Sequence, residues 1–199
     1  MLRLYDYQLS GNGYKVRLLL RQLGIPFERV EVDIVRGETR TPEFLAINPN
    51  GRIPVLELDD GRRLAESNAI LFYLAEGTPL LPEERFAREQ VLQWMFFEQY
   101  SHEPYIAVAR RLRHMEGRPV PAELVERGRQ ALDVMERHLA GRRFFVGECY
   151  TIADIALYAY THVADEGGFD LADRPVVRAW LARVAAEPGH VPITRRDFA

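Results

Sequence analysis

Residues 48–67 read NPNGRIPVLELDDGRRLAES, and the topology of the first third of the chain turns on them. Asn48 to Pro54 is dense in turn formers, Val55 to Leu58 is a short strand, Asp59-Asp60-Gly61 is a hairpin turn, and Arg62 to Ala65 returns antiparallel beside it. Ser67 has an N-cap side chain, and the helix it opens carries Ile70, Leu71, Tyr73 and Leu74 before Gly77 ends it. Upstream, Leu2 to Tyr7 alternates as a strand, Ser10-Gly11-Asn12-Gly13 is a turn, and Val16, Leu19, Leu20 and Leu23 recur at helical spacing until Gly24 and Pro26. Val30, Val32 and Ile34 alternate as a second strand, which predicts a right-handed βαβ unit with parallel strands.

Two kinds of fold begin this way. Gly11-Asn12-Gly13 after a strand, with Asp33 about 20 residues on, imitates a dinucleotide-binding fingerprint. Val16 stands where the third glycine belongs, however, and the antiparallel hairpin replaces further βαβ units, which leaves the nucleotide reading a minor alternative. Gly77 to Pro82 has the composition of a linker, and strand signals nearly vanish beyond it. Helices are expected near 83–116, with Pro104 bending the first, then over 121–140, 151–165 and 175–186.

The 199 residues are 47% hydrophobic and 28% charged, enough for a soluble globular protein with a real core. The formal charge of -3, with acids and bases interleaved, offers no basic stripe, so nucleic acid is not an expected partner. The longest tight apolar run, Val16 to Leu20, is interrupted by Arg17 and too short for a bilayer; no membrane association and a cytoplasmic location are expected. Cys149 stands alone, so any thiol chemistry uses a thiol brought from outside. The histidines at 102, 114, 138, 162 and 190 lack close ligand spacing, and no metal site is expected. Lys15 is the only lysine, and nothing in the sequence assigns it a role.

Five motifs bear on chemistry. The turn holding Ser10 lies at the mouth of a helix, where unpaired N–H groups and the helix dipole favour an anion such as a thiolate; the bland reading makes Ser10 a simple cap. A cis Ile53–Pro54 bond, after Arg52, would turn the Ile53 backbone toward an extended peptide, whereas trans is the commoner isomer. Glu66 and Ser67 suit the ammonium and carboxylate of an amino-acid end group, or merely a helix start. Thr151-Ile-Ala-Asp154 is a capping-box variant, which makes Asp154 structural. Trp94, Phe96, Phe97 and Tyr100 read as core, with Tyr105, just past Pro104, the candidate pocket residue.

Taken together, Ser10-Gly-Asn-Gly-Tyr-Lys-Val-Arg, Thr41-Pro-Glu-Phe-Leu with Asn48-Pro-Asn-Gly-Arg-Ile-Pro, Glu66-Ser-Asn-Ala-Ile and the Thr151–Asp154 box resemble the cytosolic glutathione S-transferases, especially bacterial serine-type members, over essentially the whole chain. The resemblance implies an α/β thioredoxin-like domain (βαβ-α-ββα) at 1–76 that binds glutathione, a linker at 77–83, and an all-helical domain at 84–199 that contributes the site of a small, hydrophobic electrophile, Tyr105 among it. It further implies a cis Pro54, Ile53 pairing the cysteinyl backbone of glutathione, and Glu66 and Ser67 holding its γ-glutamyl end. Arg52 would reach the glycyl carboxylate, Ser10 would stabilise the thiolate, and Asn12 is the alternative donor. Glutathione would be a co-substrate and the protein a homodimer. Glutathione-dependent disulfide or peroxide reduction, and a binding protein of the same fold without catalysis, are the alternatives to conjugation.

Overall fold

The structure, a computed structural model, describes residues 1–196. The chain forms two compact units: Met1–Glu76 together with the stretch 188–196, and Gly77–Glu187. The final stretch, expected in the helical domain, therefore belongs to the first unit, held there by hydrogen bonds from Gln8 and Tyr14 to its backbone carbonyls. The last three residues of the predicted 84–199 domain lie outside the described residues.

In the first unit β1 (Leu2–Asp6), α1 (Gly11–Gln22), β2 (Phe27–Glu31), α2 (Pro42–Ile47), β3 (Val55–Glu57), β4 (Arg63–Ala65) and α3 (Ser67–Ala75) follow in order. The sheet order is β2-β1-β3-β4; β1 runs parallel to β2 and antiparallel to β3, and β3 and β4 form the hairpin. Because successive strand residues face opposite sides, Leu4 and Leu56 join Val16, Leu20 and Ile70 in one core, while Tyr5 and Val55 join Val32 and Phe44 in another. Each such side chain contributes about 1.5–3 kcal/mol on burial. This mixed sheet with an antiparallel hairpin is the thioredoxin-like arrangement, not a doubly wound one.

The second strand lies earlier than its alternation predicts. It ends at Glu31, and Ile34 falls outside it, because the Asp33 carboxylate accepts from the Val35 and Arg36 N–H groups at 2.9 and 3.0 Å and curls the chain out of the ladder. Val32 still donates to Asp6 O at 2.7 Å.

The second unit contains α4 (Arg85–Phe97), α5 (Glu103–Arg110), α6 (Ala122–Leu139), α7 (Ile152–Thr161) and α8 (Pro175–Ala185). The helix expected over 83–116 is interrupted by wide π turns at Glu98–His102 and Arg111–Met115. The first of these leaves Pro104 in the opening turn of α5, where its missing N–H costs nothing. α7 is buried on every side and packs through Tyr158 against Trp180 of α8, which meets Phe145 edge-on at 5.2 Å. The aromatic run expected in the core divides: Trp94 is buried and Phe97 half-buried, but Phe96 and Tyr100 are 69% and 82% exposed. The Thr151–Asp154 capping box forms as predicted. Among the described residues no helix is long and apolar enough to cross a membrane.

Candidate active site

The turn between β1 and α1 is closed by Ser10 N–H donating to Tyr7 O at 2.9 Å, and Ser10 is the N-cap of α1: its hydroxyl oxygen accepts from Gly13 N–H at 3.1 Å. The bland cap is thus real, yet it does not exclude a thiolate donor. A hydroxyl that accepts one hydrogen bond still has its own proton to give, and polarisation by an N–H at the positive end of a helix makes it a better donor.

Gly13 has a second function. A Cβ there would lie 1.5 Å from Asp6 Oδ1, so only glycine lets the Asp6 carboxylate approach α1. Asp6 and Arg17, both fully buried, pair at 2.7 Å. Burial pushes the Asp6 carboxyl up to about 6 despite the guanidinium beside it. The second glycine of the apparent nucleotide fingerprint, Gly13, therefore answers to this packing.

At the start of α3, Ser67 is 4% exposed, and its hydroxyl donates to Asn12 Oδ1 in the first turn of α1 at 3.4 Å. Lys15 Nζ donates to the same Ser67 hydroxyl at 3.4 Å and is fully buried. The positive ends of two helices and a buried ammonium thus converge on one spot, an arrangement suited to a carboxylate. Sequence reasoning missed Lys15; its being the single lysine, on the helix that carries the anion-binding turn, was the available signal.

Glu66, immediately before α3, is exposed and has φ 67°, the only non-glycine residue with positive φ among those described. Such a conformation costs on the order of 1–3 kcal/mol in a residue with a Cβ and clusters at functional sites. Glu66→Gly is accordingly expected to stabilise the fold by about 1 kcal/mol in chemical denaturation; an unchanged midpoint would show that the glutamate is not strained.

The Ile53–Pro54 bond is cis, with Pro54 buried and Ile53 half-buried just before β3. Asn48, 6% exposed, organises this loop: its Nδ2 donates to Arg52 O at 2.7 Å, its Oδ1 accepts from Asn50 N–H at 3.1 Å, and its own carbonyl accepts from Gly51 N–H at 2.8 Å. The Arg52 side chain is exposed. Ser10, Asn12 and Ser67 are thus tied together by hydrogen bonds and helix turns, Ile53, Pro54 and Glu66 flank the β3–β4 hairpin of the same unit, and Tyr105 is half-buried on α5 of the helical unit. A cavity of about 680 Å³ in the helical unit, with Arg113, His162, Phe169 and Arg178 in its wall, includes none of the residues proposed from the sequence to bind glutathione or the electrophile.

Residues 1–76 match the model of the glutathione S-transferase N-terminal domain and residues 89–183 that of the C-terminal domain. The chain belongs to the glutathione S-transferase family. Its structure superposes on a glutathione S-transferase from Pseudomonas fluorescens with 57% identity and a TM-score of 0.94, covering 98% of this chain and 99% of that one. It is also similar to the disulfide-bond oxidoreductase YfcG of Escherichia coli, 33% identical over 94% of this chain and 92% of that protein. Ure2p, solved in complex with glutathione, superposes with 29% identity and a TM-score of 0.86, covering 94% of this chain and 95% of that one.

Proposed function

We propose that this protein is a cytoplasmic glutathione S-transferase in which Ser10 stabilises the glutathione thiolate for attack on a small, hydrophobic electrophile. The observation that carries the reading is the Ser10 hydroxyl, held by Gly13 N–H at the mouth of α1 with its own proton left to donate. Family membership and the glutathione complex of a structural relative support it. In this reading the Ile53 backbone pairs with the cysteinyl residue of glutathione, Glu66 takes its γ-glutamyl ammonium, Ser67, its hydroxyl backed by buried Lys15, takes the γ-glutamyl carboxylate, and Arg52 takes the glycyl carboxylate. Tyr105 contributes to the electrophile pocket. The thiol proton leaves to water, the sulfur forms a bond to the electrophilic carbon, and the displaced group departs with the electron pair.

A hydrogen bond to a charged partner is worth about 1.5–3 kcal/mol, and ~1.4 kcal/mol is one pKa unit, so one serine donor lowers a thiol from ~8.5 by about one to two units. Ser10→Ala should therefore lose on the order of 10- to 100-fold in conjugation of a chlorinated nitroarene at neutral pH. It should approach the wild-type rate in alkali, where the thiol ionises unaided, with glutathione affinity little changed. An unmoved rate–pH profile would transfer the donor role to Asn12. In the same assays Glu66→Gly should weaken glutathione binding while it stabilises the fold.

The similarity to a disulfide-bond oxidoreductase favours a second reading, in which the bound thiolate attacks sulfur or a peroxide oxygen. The turn that carries Ser10 holds no cysteine, so the attacking sulfur in that chemistry would be glutathione's own. Turnover of disulfide or peroxide without conjugation would favour it, and retention on immobilised glutathione with no turnover of either kind would favour a binding protein. The protein is proposed to act as a homodimer; exposed Phe86, Phe96 and Tyr100 on the helical unit and Tyr73 on the first supply apolar surface for it.

A further inference from the structure

We propose that the stretch 188–196 is a working part of the thiol site and that Gln8 is the positioning residue through which it fixes the Ser10 turn. Gln8 is two residues before Ser10, inside the turn that Tyr7 O and Ser10 N–H close, and is 8% exposed. Every polar group it has is engaged. Its N–H donates to Glu31 Oε1 at 2.9 Å, its carbonyl accepts from Arg17 Nη2 at 2.9 Å, and its Oε1 accepts from Arg29 Nη1. The two amide protons go to the C-terminal stretch, to Ile193 O at 2.6 Å and Arg195 O at 3.0 Å.

The stretch is shaped to receive them. Arg195 N–H donates to Pro192 O at 2.9 Å, making a turn that aims both carbonyls at Gln8, and Val191 and Ile193 are buried. Tyr14, one helical turn after Ser10, donates from its hydroxyl to Val191 O at 2.7 Å. Where the stretch begins, Gly189 has φ 74°, and a Cβ there would lie 3.0 Å from the Gln22 backbone at the end of α1. The segment is therefore fitted along α1 from its last residue to its mouth, and the Gln8 amide joins it to the Ser10 turn. A hydroxyl that must meet a thiolate at hydrogen-bond distance loses its effect with small displacements, so slack at Gln8 appears as a raised thiol pKa and not as lost glutathione affinity.

This inference rests on the assignment of Ser10 as thiolate donor, and its test separates the two. Gln8→Met keeps length and removes the donors; Gly189→Val lifts the strap at its root without touching the turn. Both variants are expected to raise the pKa of bound glutathione, followed by thiolate absorbance, by about one unit, a ~10-fold rate loss at neutral pH, with glutathione affinity close to wild type. In the unmodified protein, hydrogen exchange should show the amides of 8–13 and of 190–195 opening together. Separate opening of the two segments, or a Gly189→Val protein whose strap exchanges faster while its thiol pKa stays at the wild-type value, overturns the proposal. If both variants fail to fold, the exchange result on the wild type decides. A Ser10→Ala protein with an unmoved thiol pKa would sink the Ser10 assignment and with it the role of the stretch in the thiol site, whereas separate opening of the two segments would sink the role of the stretch and leave Ser10 untouched.

Discussion

Asp154→Ala is expected to cost about 5 kcal/mol near pH 5, enough to leave most single domains barely folded. The fully buried carboxylate accepts from Phe145 N–H at 3.0 Å, Thr151 N–H at 2.9 Å, the Thr151 hydroxyl at 3.2 Å and Trp180 Nε1–H at 2.9 Å. Truncation leaves these donors buried without a partner, at about 1–3 kcal/mol each. The loss also has a pH signature. Burial pushes the Asp154 carboxyl up to about 6, in opposition to its four donors. A carboxyl raised in the folded state contributes stability that is complete below its unfolded value near 4 and is lost as pH rises through about 6. The gap between wild type and Asp154→Ala should accordingly be wider at pH 5 than at pH 7.5 in denaturant titrations. A gap that widens with pH would mean that the donors outweigh burial.

Gly13→Ala should destabilise the protein by about 3 kcal/mol, although helix propensity alone argues for a gain of about 1 kcal/mol. The added methyl would overlap Asp6 Oδ1, and the carboxylate cannot swing aside without abandoning buried Arg17, a loss of about 3–5 kcal/mol when complete. Backbone movement at Gly13 would also disturb its N–H bond to Ser10, so the proposed conjugation activity should fall together with stability. Denaturation midpoints at or above the wild-type value would show that the first turn of α1 has more room than its atoms indicate.

Much of this was legible in the chain, because short-range physics wrote it. The strand, turn and helix from Leu2 to Leu23, the hairpin at Asp59 to Gly61 and the Asp154 box follow from alternation, helical spacing and cap chemistry. The position of the second strand was misread because Val32 and Ile34 continue an alternation that the Asp33 turn interrupts. The Asp6–Arg17 pair was invisible because an acid in a strand and an arginine in a helix look like surface residues until the two elements pack. The stretch 188–196 has no periodicity to read; it is held by carbonyls, which every residue possesses, and only the packed turn shows which of them are used. Lys15 stood out by composition, but its burial against Ser67 depends on α3 meeting α1.

That buried lysine makes the folded chain silent toward acylating reagents that seek side-chain amines, since every other basic side chain besides histidine is arginine. Its modification requires α1 to part from α3, so the extent of acylation at one known position counts how often the first unit breathes. Attachment to amine-reactive supports would, for the same reason, leave the faces of the folded protein unblocked by side-chain tethers.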